Sequence, residues 1–591
     1  MTVKNDEENP ILGKELRFAI HIPSQYPDIE DTHLLKEIIH YKDGTIKPNV
    51  RLLYNFKRYF YITKPNYRNH NQKKEYENID HLNCYQTIQS DLSKNIAKAL
   101  DINYGSNSIR ELSKSPYLYG SDVSSTSILK KIYVDKYSNL KSPFTVAFYD
   151  IETDVFSEDY KIIIATIVFK NEVLTCINKS FLEGISDPIT LINKAMDKYL
   201  STYINKLNLN CSTIICDTEF QVINTIFKKL HEWKPDLLAI WNVNFDIPKT
   251  VAAIERAGIN PKDIFSDPTI PFNYRSFLYK QGKHQKQTAS GKVTPIVPSS
   301  QWHIVKSLSS FFVIDAMCIY KRLRIHEGED PSYALDNILE KELGIRKLNF
   351  KEASHIINKT EWHRFMQSKY KIEYIIYNRF DCISMLELEN KTKDLTYKLS
   401  TFANFTDLES FNLSTRKISD AMHYHLLDRN MVIGTLANTK RKFIEIPDNK
   451  KGRGKLGDKK DEGEKDYVVD LDNSDQVMSL RKWIVTLRAD YVVLNGMKCI
   501  KQSKHTRTNI RAFVFDSDCT AAYPSATSSL NVSKATTKNE IITIEGIPET
   551  LFRRQNMNLL SGSTNAIEYC TEMFNLPNLV QLLNMYTNKQ S

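Results

Sequence analysis

Between Lys141 and Phe156 the chain reads KSPFTVAFYDIETDVF, and no other stretch restricts the possible folds so much. Pro143 marks a boundary, and the residues after it alternate into a strand expected to end near Asp150. Two acids, Asp150 and Glu152, stand two positions apart at that end. Residues i and i+2 of a strand point to one face, so the two carboxylates converge, a costly repulsion unless a cation lies between them. With 70 acidic residues in 591, such tripeptides also arise by chance. The placement at a strand end therefore carries more information than the motif.

From here to about Thr401 the pattern alternates strands and helices, as in an α/β layer fold. KIIIATIVFK (Lys161 to Lys170) reads as a buried strand. PDLLAIWNVNFDIPKTVAAIERAG (Pro235 to Gly258) reads as strand, turn and a helix entered through Pro248 and ended by Gly258. A chain of this length exceeds a single core, so several domains are expected, with boundaries near 141, 401 and 485. Tyr54 to Lys74 interleaves aromatic and basic residues, which suits either base stacking along a single strand or a β-strand with a solvated loop. Lys280 to Trp302 has the composition of an exposed hairpin or mobile loop, and Lys450 to Asp466 that of a disordered charged loop. Leu579, Leu582, Leu583 and Tyr586 share one face of an amphipathic helix that needs a cover.

Composition excludes some classes. The nine cysteines are scattered, with no CxxC and no clustered histidine, which argues against a disulfide framework and against a zinc site. No apolar run approaches the roughly 20 residues of a membrane span, and MTVKNDEENPILGKEL lacks a signal pattern, so a cytosolic location is expected. A net charge of +10 permits a polyanionic partner but is equally typical of an ordinary surface.

Two more acids extend the pattern. Asp246 closes WNVNFD at a strand-to-helix turn, although such an Asp alone is more often an N-cap. Tyr377 and Asp381 of YNRFD are four apart and share a helix face. Four carboxylates and a tyrosine from strand end, turn and helix are what two divalent ions about 3.5–4 Å apart require. Mg²⁺ or Mn²⁺ suits these hard oxygens, and the expected chemistry is phosphodiester hydrolysis with Tyr377 orienting the attacking water.

DIET, NVNFD and YNRFD, in this order, resemble the three exonuclease motifs of family B DNA polymerases, and DCTAAYPS (Asp518 to Ser525) resembles their first polymerase motif. DPSYALDNILEKELG and LNVSKAT are similar to stretches of the enzymes of large tailed phages of the T-even type. The resemblance implies a mixed α/β architecture: an N-terminal α+β domain (1–141), a ribonuclease H-like 3′–5′ exonuclease domain (142–401), connecting helices with a charged loop (402–485) and the first part of a polymerase palm (486–591). It implies that Asp150, Glu152, Asp246 and Asp381 hold two metals, that Tyr377 places the water, and that Asn242 and Phe245 support the second motif, with Asn242 at the shorter of two spacings. Lys280 to Trp302 takes the place of a hairpin that helps separate primer from template.

By the same resemblance Asp518 holds the polymerase metals and Tyr523 excludes a 2′-hydroxyl. Ala521 and Ala522 replace the usual Ser and Leu, but there the triphosphate is met largely by backbone N–H groups, which alanine retains. Asp516 reads as structural. The family's K-x-x-x-N-S-x-Y-G helix and D-T-D turn are not in the sequence, and VVDLDNSD reads as solvated surface. The expectation is therefore the N-terminal subunit of a split DNA polymerase. Its implied partners are primer–template and single-stranded DNA, dNTPs, a second polypeptide with fingers, remaining palm and thumb, and a sliding clamp. It would work in the cytoplasm of an infected bacterial cell, with no membrane involved. Two alternatives stand beside this: a free-standing 3′–5′ exonuclease, and a non-catalytic scaffold for single-stranded DNA.

Overall fold

The strand Ile162–Phe169 is apolar at almost every position and buried along its whole length. A strand can be so only if both faces of its sheet are covered. The computed structural model describes residues 10–435, apart from 24–29, 71–73, 103–108, 139 and 288–292, together with Trp483–Ile484 and Val493–Leu494. In it Ile162–Phe169 lies inside a six-stranded sheet of order Asn210–Cys216, Glu172–Asn178, Ile162–Phe169, Val146–Thr153, Leu237–Ile240, Phe312–Asp315. Ile162–Phe169 runs antiparallel to both neighbours, and every other adjacent pair is parallel. The architecture is mixed α/β.

Two apolar layers cover the sheet. On one side Phe148, Ile164 and Val168 pack against helices Lys371–Thr392 and Pro188–Tyr199. On the other, Tyr149, Ile151 and Ile167 pack against Glu219–Trp233 and Val243–Arg256. Asp150 and Glu152 share the parity of Phe148, so they belong to the side of helix Lys371–Thr392. That helix is buried on nearly all sides, which explains why its sequence shows so little amphipathic pattern.

Two expectations need correction. The strand runs on through Asp150 to Thr153, with an irregularity between Glu152 and Thr153. The helix after WN begins at Val243, not at Pro248, which lies within it. Asp246 is accordingly inside the helix and not its N-cap. The reason is a cap from elsewhere: Asp315, at the end of the neighbouring strand, accepts the Val243 N–H at 3.2 Å. That partner satisfies a donor the local sequence leaves open, so the helix starts earlier. Of the two readings open for Tyr54 to Lys74, the strand is the one found: Arg58–Thr63 is the middle of a three-stranded sheet, and Phe60 and Tyr61 are buried, so neither can stack a base.

The N-terminal region contains a second three-stranded antiparallel sheet, Ile11–Ile22, Thr32–Tyr41 and Ile46–Tyr54, packed against helix Ser125–Lys136. After residue 401 the chain returns to this region, where Met431–Ile433 pairs with Tyr76–Asn78. Phe277–Lys280 and Ile304–Ser307 form the base of a hairpin that continues through Gln285–Gln287 and Val293–Pro295. Met1–Asn438 is one compact unit and Thr439–Ser591 a second, in which Trp483–Ile484 pairs with Val493–Leu494. No helix among the described residues is long and apolar enough to cross a membrane.

Candidate active site

Helix Lys371–Thr392 lies over the end of strand Val146–Thr153 and brings two side-chain rungs to it. Tyr374 and Asn378 form one i, i+4 rung. The Tyr374 hydroxyl donates to Glu152 Oε2 at 2.5 Å, and the Asn378 amide donates to Asp150 Oδ2 at 2.6 Å. Tyr377 and Asp381 form the other. A carboxylate oxygen from each of Asp150, Glu152 and Asp381 lies within 4.8 Å of the others.

Helix Lys359–Lys369 supports this layer. Gln367 donates to the Tyr374 hydroxyl at 3.1 Å and to the Thr153 carbonyl at 2.8 Å, while His363 Nδ1 stands 2.7 Å from the same hydroxyl. Burial depresses His363 to about 4, so its ring is neutral at pH 7. Because Tyr374 spends its proton on Glu152, the tautomer assigned to His363 has Nδ1–H donating to Tyr374.

One cation enters the cluster. Helix Leu335–Leu343 stops at Gly344, whose φ of +69° suits glycine, and the chain then turns toward the site. The Lys347 backbone N–H is tied to Asp336 at 2.8 Å, and its ammonium donates to Asp381 Oδ2 at 2.5 Å and to the Tyr377 hydroxyl at 3.2 Å. The surrounding acids hold its pKa well above the ordinary lysine value despite burial.

That single charge does not balance the acids. Burial pushes the Asp150 carboxyl well above its usual range, and repulsion from Asp246, Asp381 and Glu152 adds to the rise. Burial raises Glu152 to about 7, with the Tyr374 hydrogen bond opposing. Asp246 is raised well above its ordinary value by burial, and Asp381 is raised by burial against the pull of Lys347. Asp381 Oδ1 is buried with no hydrogen-bond partner among the described residues. Among the described residues, four carboxylates face one ammonium. The donor set is all oxygen, and an excess of negative charge with an unfilled acceptor fits a hard divalent ion such as Mg²⁺ or Mn²⁺.

Asp246 is buried and contributes its charge, but it is not one of the three acids within 4.8 Å of one another. Asn242 is at the N-cap position of its helix, exposed and making no side-chain cap, and Phe245 is also exposed. Asn244, not singled out from sequence, accepts from Tyr279 and Gln281 at 2.8 Å each and ties the helix start to the hairpin. Asp315 was also missed. It caps the Cys318 N–H at 2.8 Å as well as Val243, and burial raises it to about 7. Tyr374 and Asn378 carry an i, i+4 signal of their own, with Asn378 inside the YNRFD motif and Tyr374 just before it. Lys347 carries none, being 34 residues from Asp381. Asp518, Ala521, Ala522, Tyr523, Asp516, the 450–466 loop, Val468 to Asp475 and the Leu579 to Tyr586 helix lie outside the described residues. No protein-family model matches the chain, and no curated protein matches it.

Proposed function

We propose that residues 142–401 form a metal-dependent 3′–5′ exonuclease of the ribonuclease H-like kind, acting on single-stranded DNA ends. The observation that carries this reading is the meeting of Asp150, Glu152 and Asp381, where among the described residues four acids are opposed by one lysine that also donates to the Tyr377 hydroxyl. A central acid-bearing strand, with an antiparallel neighbour on one side and parallel strands on the other, supports the fold assignment.

In this mechanism Asp150, Glu152 and Asp381 would hold the ions, with Asp246 completing the charge. The bound ions would lower the pKa of a water and offset charge on the leaving 3′ oxygen. The remaining work belongs to the chain. Asn378 and Tyr374 fix the carboxylate orientations of Asp150 and Glu152 by direct donation. Lys347 opposes the rise of the Asp381 carboxyl and holds the Tyr377 oxygen, so that the tyrosine hydroxyl would orient a water toward the scissile phosphorus. A 3′ end cleaved this way releases nucleoside monophosphates.

The test uses single-stranded DNA labelled at either end, with Mg²⁺ or chelator, in the parent chain and in Asp150→Ala. The expected result is stepwise Mg²⁺-dependent loss from the 3′ end, abolished in the variant. Equal degradation by Asp150→Ala would sink the assignment, and binding without degradation by the parent would favour the scaffold reading.

We also propose, from the sequence motif Asp518 to Ser525 alone, that this exonuclease serves a family B polymerase. Primer extension, using Asp518→Ala as control, separates this from a free-standing nuclease.

A further inference from the structure

A second cluster of ligating side chains lies in the N-terminal sheet, remote in sequence from the carboxylates. Antiparallel pairing of Ile11–Ile22 with Thr32–Tyr41 sets His21 directly opposite His33, and their rings are 4.9 Å apart. Asp31 immediately precedes the second strand, with Oδ2 3.2 Å from His21 Nε2. One ligand atom from each of the three lies within 4.8 Å of the others.

Two buried atoms in this cluster lack partners. His33 is 0% exposed, and its Nε2 is 2.8 Å from Ser125 Oγ, while Nδ1 makes no hydrogen bond. Asp31 is 1% exposed; Oδ2 accepts the Ser90 N–H at 2.6 Å, while Oδ1 makes none. Leaving such buried groups unsatisfied is costly. With Nε2 donating to Ser125, His33 Nδ1 is left with an unused lone pair. A ring held on its far nitrogen by an outer partner is how metal-ligating histidines are commonly oriented. Burial, then the neighbouring His21, depress His33 to about 4, so this ring is neutral at pH 7.

We propose that His21, Asp31 and His33 form a binding site for one transition-metal dication, best suited to Zn²⁺, with a fourth position open to water. Two imidazoles and one carboxylate match zinc's ligand preferences, whereas Mg²⁺ favours oxygen alone. Tetrahedral zinc with ligands at about 2.0–2.1 Å spaces them roughly 3.4 Å apart. The ligand atoms would close to that spacing mainly by rotation of His21, the half-buried member on the rim. Through Ser90 and Ser125 the ion would tie the sheet to the segment before helix Leu92–Ala99 and to helix Ser125–Lys136. The sequence argued against zinc because the histidines are not clustered along the chain; strand register is what clusters them.

The test uses the full chain carrying Asp150→Ala, which weakens the carboxylate site, stripped with chelator and titrated with Co²⁺. The expected result is one equivalent of cobalt with the intense visible bands of four-coordinate geometry, displaced by Zn²⁺ and not by Mg²⁺. Adding His21→Ala should abolish the bands, weaken Zn²⁺ binding at least 100-fold and remove the rise in melting temperature that Zn²⁺ gives the parent. Absence of the bands in the parent, or unchanged Zn²⁺ binding after His21→Ala, would overturn the site and leave a pocket filled by water. The cobalt spectrum of the parent decides the matter even if a variant fails to fold.

Discussion

Glu37 and Asp381 are both almost fully buried carboxylates, one in the N-terminal sheet and one beside the central sheet. Their surroundings differ in charge balance. Glu37 accepts from Tyr133, from Arg51 at 2.9 Å, from Asn49 at 3.0 Å and from Lys14 at 3.4 Å. Burial alone would raise it, yet the Tyr133, Arg51 and Asn49 hydrogen bonds outweigh that and hold it below the usual range. Asp381 has Lys347, but shares its pocket with three other acids and is raised. Depth of burial does not decide what a carboxylate is for; the match between its charge and its partners does. Glu37 is complete as it stands. Asp381 belongs to a group that needs a further cation.

The largest expected contrast is in activity. Asp381→Asn keeps the shape and removes a charge, and it should lower 3′-end degradation about 1000-fold, roughly 4 kcal/mol of barrier, without lowering the urea midpoint. Glu37→Gln should leave degradation unchanged. If both variants retain activity, the two sites are of one kind and the comparison fails.

The next contrast is the pH dependence of stability in chelator-treated protein. Glu152 titrates near 7 when folded, above its ordinary 4.5, so the folded chain binds that proton more tightly than the unfolded chain. Its contribution to stability is present at pH 4.5 and lost as pH rises toward 7, on the order of 3 kcal/mol. Asp315, also buried and raised to about 7, acts in the same direction. Glu37 has the opposite sign, losing its contribution as pH falls through its lowered pKa. Urea unfolding across pH 5 to 8 should show the decline, Glu152→Gln should reduce it, and Mg²⁺ should offset it at the upper end. A profile unaffected by either change would remove the argument for unbalanced charge.

Lys347→Ala sharpens the comparison by deleting the one cation that the described residues bring to the pocket. Activity at pH 7 should fall about 10–100-fold, about 1.4–2.8 kcal/mol. The acid limb of the pH–rate profile should move to higher pH, because Lys347 opposes the rise of Asp150, Glu152 and Asp381. Lys347→Arg should restore part of both. A uniform loss with no movement of the limb would assign Lys347 to packing.

The smallest effect belongs to the balanced site. Glu37→Gln should cost roughly 1–2 kcal/mol, a modest figure because Arg51 and Lys14 are exposed enough to regain water. Chemical denaturation measures it, and a gain in stability would show that Glu37 too is under strain.

Much of this was legible in the chain. A period of two places Asp150 and Glu152 on one strand face, and a period near 3.6 places Tyr377 and Asp381 on one helix face. The hairpin spanning Gln285–Gln287 and Val293–Pro295 is one of the two forms that local composition allowed. The early start of helix Val243–Arg256 was not legible, because its cap, Asp315, arrives from 72 residues away. Lys347 likewise approaches through a turn that has no motif.

The sequence by itself determined which elements form and which side chains share a face, since these depend on neighbours a few residues apart. Tertiary structure alone decided which faces meet: Tyr374 against Glu152, Lys347 against Asp381, His21 opposite His33. Those meetings follow from strand register and from burying apolar surface on both sides of one sheet, and such long-range packing is not encoded in any local spacing.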